Sequence, residues 1–175
     1  GQLGQAIRKI SEKTTDLEFV FTSSSELDIT NKDNCESVFN KIKPDFCIIT
    51  AAYTAVDKAE SESEKAISIN VLGAENLAES CKKYNTKLIH ISTDFVFDGE
   101  KKFPYTEEDK SNPKSVYGKT KLEGEHVIQS ILKECFIIRT SWVYSEFGNN
   151  FYKTMLRLAS ERNSLNVVND QMGTP

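Results

Sequence analysis

Short apolar runs separated by amphipathic stretches constrain this 175-residue chain more than any other feature. Four runs stand out, Glu18–Phe21, Phe46–Thr50, Leu88–Ser92 and Phe136–Arg139, with a shorter fifth at Leu165–Val168. Each is rich in Val, Ile, Leu or Phe and has the length of a buried strand rather than a helix. Between them the apolar residues fall at helical spacing. Asn34–Ile42 places Cys35, Val38, Phe39 and Ile42 on one face, and Ala66–Tyr84 does so with Ile69, Gly73, Leu77 and Cys81. Ser115–Leu132 and Asn150–Arg162 follow the same pattern. Continuous apolar strands alternating with helices predict α/β architecture with a parallel sheet covered on both faces. Right-handed crossovers make it a doubly wound sheet, expected as one domain over residues 1–175. Ligands of such sheets sit beyond the C-terminal ends of the strands.

Charge and composition narrow the function classes. The net charge of -4 comes without any basic stripe, which argues against nucleic acid as a partner. No apolar run approaches the ~18 residues needed to span a bilayer, and the first residues lack the pattern of a signal peptide. Cys35, Cys47, Cys81 and Cys135 include no CxxC pair, and Cys47 and Cys135 lie in or beside apolar runs, so they read as small core residues of a reduced, cytoplasmic protein. His90 and His126 are the only imidazoles, too few for a zinc site, and no metal ligand set is assigned. The chain opens on a Gly-rich turn that ordinarily follows a strand and closes on NDQMGTP. A piece of a longer polypeptide is therefore expected, lacking the strand before its Gly-rich turn.

Several segments carry chemistry. Gly1 and Gly4, in GQLG, fit the last two glycines of a G-x-x-G-x-x-G turn, which brings backbone close to a pyrophosphate at a helix N-terminus. The same glycines would serve a plain helix start. Tyr117 and Lys121 form Y-x-x-x-K, whose i and i+4 positions share a helix face and put an ammonium beside a phenol. A nearby cation lowers the phenol pKa and burial raises it; with the cation dominant, the phenol can give a proton to a carbonyl oxygen as hydride reaches its carbon. In ISTDFVFDG, directly after a strand, the Thr93 hydroxyl faces a substrate carbonyl or satisfies its own turn, and Asp94 takes sugar hydroxyls or caps that turn. In AAYTAVDKAE, the small Ala51 and Ala52 let a cofactor lie against the backbone, with Tyr53 and Thr54 beside it, while Asp57, Lys58 and Glu60 read as a solvated helix start. Asp28 accepts from an adenine amine or caps a turn. Thr22 and Ser23 stand where an acidic residue often grips the ribose, so NADPH and NADH both remain open. Trp142, the single Trp, packs in a core or offers its face to a sugar ring.

Together GQLG, LDIT, AAYTAVDKAE, ISTDFVFDG, VYGKTKLEGE, RTSWVY, GNNFYKTMLRLA and NDQMGTP, in this order and over nearly the whole chain, resemble the extended short-chain dehydrogenase/reductase family, and within it the reductases of dTDP-4-dehydro sugars. Such a resemblance implies a Rossmann-like NAD(P)-binding domain over residues 1–175 and, after NDQMGTP, a smaller C-terminal substrate domain that this sequence lacks. The resemblance implies NAD(P)H-dependent reduction of the 4-keto group of dTDP-4-dehydro-L-rhamnose, in deoxysugar supply for polysaccharide. It makes Tyr117 the proton donor, Lys121 its electrostatic and ribose-binding partner, and Thr93 the residue that tunes the tyrosine. Gly1, Gln2, Leu3 and Gly4 match the pyrophosphate turn, and Asp28, Ile29, Ala51, Ala52, Tyr53 and Thr54 match other cofactor contacts. Thr93, Asp94 and Trp142 match contacts to the dTDP-sugar substrate. The family often has His where this chain has Tyr53, and Tyr where it has Phe95. A homodimer and magnesium are implied by the resemblance alone, since the family's magnesium site draws on residues not placed in this chain. The alternatives are another nucleotide-sugar reductase or epimerase, and a non-catalytic regulatory subunit such as that of methionine adenosyltransferase.

Overall fold

Three of the apolar runs become strands of one parallel sheet in the computed structural model, which describes residues 1–167. They are β1 (Phe46–Ile49), β2 (Lys87–Thr93) and β3 (Cys135–Thr140), in the order β1-β2-β3. The register pairs Ile48 with Ile89 and Ile49 with His90, then Ile89 with Phe136 and Ser92 with Arg139. Parallel neighbours need crossovers, and helices supply them. The strands belong to a unit spanning Thr22–Thr140, and residues 1–21 form a second unit with the chain from Ser141 onward.

Within the first unit, α2 (Lys32–Ile42; α1 belongs to the other unit) begins where Asn31 accepts a hydrogen bond from the Asn34 amide. It ends at Lys43 in a left-handed conformation, ahead of Pro44. Two short helices follow β1, α3 (Val56–Ala59) and α4 (Ser63–Ile67). A π turn over Ser68–Leu72 then leads into α5 (Gly73–Tyr84), which closes on the left-handed Asn85. Between β2 and β3 runs α6 (Val116–Ile131).

Alternation along the strands gives the sheet two different faces. On one, Ile49 and Leu88 meet Cys35 and Phe39 of α2, Leu77, Ala78 and Cys81 of α5, and Ile128 of α6. Leu88 and Ile128 are fully buried, each contributing about 2 kcal/mol of hydrophobic stabilisation. The other face presents Phe46, Ile48, Phe136 and Ile138, all exposed. Both faces being apolar explains why these runs read as unbroken. A second cluster joins Tyr53, Ala59 and Ala66 to Tyr117.

The unit from both chain ends holds α1 (Gln2–Ser11) and α7 (Phe151–Glu161), the latter capped by Asn150, which accepts from the Lys153 amide at 2.9 Å. Here one expectation is corrected: Glu18–Phe21 is not a strand. A strand exists by its ladder, and among the described residues none pairs with this segment. Phe19 and Phe21 stack at 6.0 Å with their rings nearly parallel, and the Arg8 guanidinium lies 4.6 Å over Phe21. Residues 165–167 likewise form no strand, while Val168 and NDQMGTP lie outside the described residues. No helix among the described residues is long and apolar enough to cross a membrane.

Candidate active site

The face of α6 that packs on the sheet carries Tyr117, Lys121 and Glu125, spaced one turn apart and all buried. Two side chains fix where this helix starts. Ser115 accepts from the Gly118 amide at 3.1 Å, and Glu60 accepts from the Val116 amide at 2.8 Å. Those amides point out of the first turn and have no partner within the helix. Glu60 is thus a cap of α6, where the sequence suggested a solvated helix start.

Glycine sets how closely α6 approaches its neighbours. A Cβ on Gly118 would stand 2.2 Å from the Phe95 carbonyl oxygen, and one on Gly124 would stand 2.3 Å from that of Asn70. The first contact draws the turn after β2 onto Tyr117, whose ring meets Phe95 edge to face at 5.6 Å. The second seats the helix on the π turn.

The end of β2 lies against Tyr117. Thr93 accepts from the Phe95 amide at 3.2 Å, and its one hydroxyl proton goes either to Asp94 Oδ1 at 3.1 Å or to the Tyr117 oxygen, where it favours the phenolate. Thr93 therefore serves both its own turn and the tyrosine. Desolvation outweighs the threonine, so the Tyr117 pKa lies above the ordinary phenol value, with the Asp94 charge adding to the rise. Of the two opposing effects on the phenol, burial prevails over the cation. The cause is where the ammonium goes: Lys121 Nζ donates to the Ile91 carbonyl at 2.7 Å and lies 3.2 Å from His90 Nε2. Burial lowers the Lys121 pKa to about 8, with Glu125 opposing. Asp94 keeps an exposed residue surface, yet desolvation of its carboxyl raises its pKa too.

Glu125 is held from two sides. Arg139 on β3 donates to Oε1 at 3.0 Å and to Oε2 at 2.6 Å, and Ser92 on β2 donates to Oε1. The Arg139 guanidinium continues to Ser111 and lies 5.1 Å over the Phe97 ring, tying the loop after β2 to the sheet.

The segment after β1 is fastened through Asn70 of the π turn, whose side chain accepts from the Tyr53 amide at 2.9 Å. It donates to the Tyr53 carbonyl at 3.2 Å and to Thr120 Oγ1 on α6 at 3.1 Å. Ala51 and Thr54 are exposed and Ala52 half-buried, whereas the Tyr53 phenol turns inward and donates to Glu62 at 2.9 Å. Of the two readings of Asp28, the structure displays the turn: its Oδ1 accepts from the Thr30 amide at 3.0 Å and the Thr30 hydroxyl at 2.7 Å. Ile29 packs on Gly73, where an added Cβ would come within 2.6 Å of it.

In the unit from the chain ends, Gly1 is the N-cap of α1, with no side-chain cap and no acid in the first turn. Leu3 and Gly4 lie in that turn, and Gln2 accepts from Asn150 at 3.0 Å. Trp142 adopts a left-handed backbone, φ 49°, is exposed, and meets Phe151 edge to face at 5.4 Å. Among the described residues no group of three or more His, Cys, Asp or Glu could hold a metal ion.

Sequence reasoning missed Asn70, His90, Glu125 and Arg139. A polar residue inside an apolar helical stretch was the available signal for Asn70. The other three lie in strands or on a helix whose facing partners are distant in sequence.

Comparison with known proteins places the chain in a family. The RmlD substrate binding domain family matches residues 1–175. The dTDP-4-dehydrorhamnose reductase of Aggregatibacter actinomycetemcomitans is 47% identical over 175 residues, all of this chain and 60% of that protein. That of Salmonella typhimurium is 42% identical over 177 residues, covering 100% of this chain and 59% of the relative. This chain thus spans about three fifths of the length of these relatives. Among solved structures, a dTDP-4-dehydrorhamnose reductase of Clostridium acetobutylicum superposes with a TM-score of 0.96 at 46% identity, covering 100% of this chain and 62% of that one. The Bacillus anthracis enzyme in complex with NADP gives 0.87 at 40% identity, covering 93% and 57%. The parallel sheet with its helices is Rossmann-like, and the chain belongs to the RmlD substrate binding domain family.

Proposed function

We propose that the protein containing this chain reduces the 4-keto group of dTDP-4-dehydro-L-rhamnose to give dTDP-L-rhamnose, with NADPH or NADH as reductant. The observation that carries this reading is the buried row of Tyr117 and Lys121 on α6, set against Thr93 at the C-terminal end of β2. The names of the relatives and the NADP held by one solved structure support it.

The residues present fit a dinucleotide. The first turn of α1 offers backbone amides with neither a side-chain cap nor an acid in competition, and there Gly1, Gln2, Leu3 and Gly4 would hold a pyrophosphate. Within the unit of Thr22–Thr140, Ala51, Ala52 and Thr54 would lie along a cofactor, with Lys121 at its ribose. When bound, NAD(P)H supplies the hydride that adds to the carbonyl carbon at C4 of the sugar.

As that carbon is reduced, the carbonyl oxygen gains the electron pair of the broken π bond and takes the phenolic proton of Tyr117. A tyrosine whose pKa is raised by burial stays fully protonated near neutral pH, which is the form a proton donor needs. Thr93 stabilises the phenolate left behind, and the Lys121 ammonium is the positive charge carried by the same helix face. Asp94 and Trp142 would contact the sugar.

The test follows NADPH and NADH oxidation by the whole protein with dTDP-4-dehydro-L-rhamnose and identifies the product. Turnover to dTDP-L-rhamnose is expected, with Tyr117→Phe losing about 10²- to 10⁴-fold in kcat while cofactor affinity changes little. Equal turnover in that variant would remove Tyr117 from the mechanism. A different product would assign the site to another nucleotide-sugar reductase or an epimerase.

A further inference from the structure

The residue next to the site that the mechanism leaves unused is His90. It stands on β2, 2% exposed, with Nε2 3.2 Å from the Lys121 ammonium nitrogen. Its Nδ1 has no hydrogen-bond partner among the described residues. A buried nitrogen without a partner is costly, and Leu or Met would fill the same space without that cost.

An ammonium has three donors and no acceptor. Lys121 spends one donor on the Ile91 carbonyl at 2.7 Å. Glu125, one turn along α6, contributes charge, but both its oxygens are engaged by Arg139 and Ser92. On this evidence the geometry points to His90 as a positioning residue for Lys121: a neutral imidazole that accepts a second ammonium hydrogen bond through Nε2 and leaves the third donor for the reaction.

Burial and the neighbouring ammonium support the neutral form: together they depress the imidazole pKa to about 3, so His90 adds no positive charge beside Lys121. An accepting Nε2 places the ring proton on Nδ1, which has no partner among the described residues, a cost the contact to Lys121 must offset. The titratable groups that act on Lys121 are His90 from β2 and Glu125 from α6; Tyr117 shares its helix face, and Arg139 from β3 is paired with Glu125. Asp94 acts on Tyr117 from the turn after β2. Losing the imidazole acceptor removes support for the charged form of lysine, so the ammonium becomes easier to deprotonate and less well oriented.

The proposal rests on the reading of Tyr117 and Lys121 as the reducing pair, and its test separates the two. His90→Leu, His90→Gln and His90→Asn are compared in the whole protein. A Gln oxygen can reach the place of Nε2, whereas the shorter Asn reaches only that of Nδ1. In the leucine and asparagine variants kcat falls about tenfold and the alkaline limb of its pH profile, set by Lys121, moves down by about one unit. The glutamine variant recovers most of the rate and moves the limb back. Lys121 is also titrated directly, by the ¹³Cε signal that disappears in Lys121→Met. Its midpoint should fall in His90→Leu and return in His90→Gln. If the wild-type protein shows no turnover with the dTDP-sugar, the proposed reaction fails, and the titration still decides the role of His90. Unchanged midpoints across the three variants overturn it. So does an equal loss of rate in all three that tracks lowered unfolding midpoints, since packing alone would then account for His90.

Discussion

Replacing Gly124 by alanine tests how α6 is seated. The new methyl would stand 2.3 Å from the Asn70 carbonyl oxygen, about 1 Å short of ordinary contact, and 3.7 Å from the Ala74 methyl. The carbonyl belongs to the π turn, so relief requires backbone to move rather than a side chain to swing aside. Overpacking of this kind costs about 1–3 kcal/mol. Opening the gap also stretches the 3.1 Å bond from Asn70 to Thr120, worth about 1 kcal/mol. Alanine returns about 1 kcal/mol of helix propensity. The net is a loss of about 2 kcal/mol, roughly a thirtyfold shift toward the unfolded form. Urea titration of the whole protein and the variant should show a lower midpoint with the slope unchanged, and Tm should fall by about 4–8 °C. Glu123→Ala, at the exposed neighbouring position on the same helix, is the control and should stay within about 0.5 kcal/mol. A Gly124→Ala protein as stable as wild type, or more stable by the propensity gain, would refute the close seating of α6 on the π turn.

Two further outcomes accompany those stated for Tyr117 and His90. The Lys121 pKa of about 8 lies below its ordinary 10.5, so between these values the unfolded chain binds more protons and folding stability rises with pH. The stability difference between wild type and Lys121→Met should therefore shift by about 3 kcal/mol in favour of wild type across that window, measured by urea unfolding at a series of pH values. A difference independent of pH would show that Lys121 is not desolvated. Glu60→Ala removes a cap from the Val116 amide and should lower stability by about 1 kcal/mol, with Glu60→Gln restoring most of it; no change in either would remove Glu60 from the start of α6.

Local pattern determined much of this protein. Period and run length marked β1, β2 and β3 and placed α2, α6 and α7 to within a few residues, because apolar spacing is a property of neighbours along the chain; for α5 they gave the end at Tyr84 but not the start at Gly73. The Tyr117–Lys121 pairing was legible for the same reason, since four residues on a helix are one turn. What required the tertiary structure acts between distant segments. Ile69 is half-buried against the cluster of Tyr53, Ala59, Ala66 and Tyr117, and the π turn at Ser68–Leu72 buries Asn70 and Val71 beside it. A strand at Glu18–Phe21 fails although its residues suit one, because strand formation depends on a partner segment. Lys121 shares the helix face of Tyr117, and the fold adds the contacts of its ammonium on β2, where the Ile91 carbonyl and the His90 ring compensate its burial. The sequence thus determined which residues share the helix face of the candidate site. Packing against β2, β3 and the π turn decided their charges and directions, because desolvation and hydrogen bonding depend on groups brought close only by the fold.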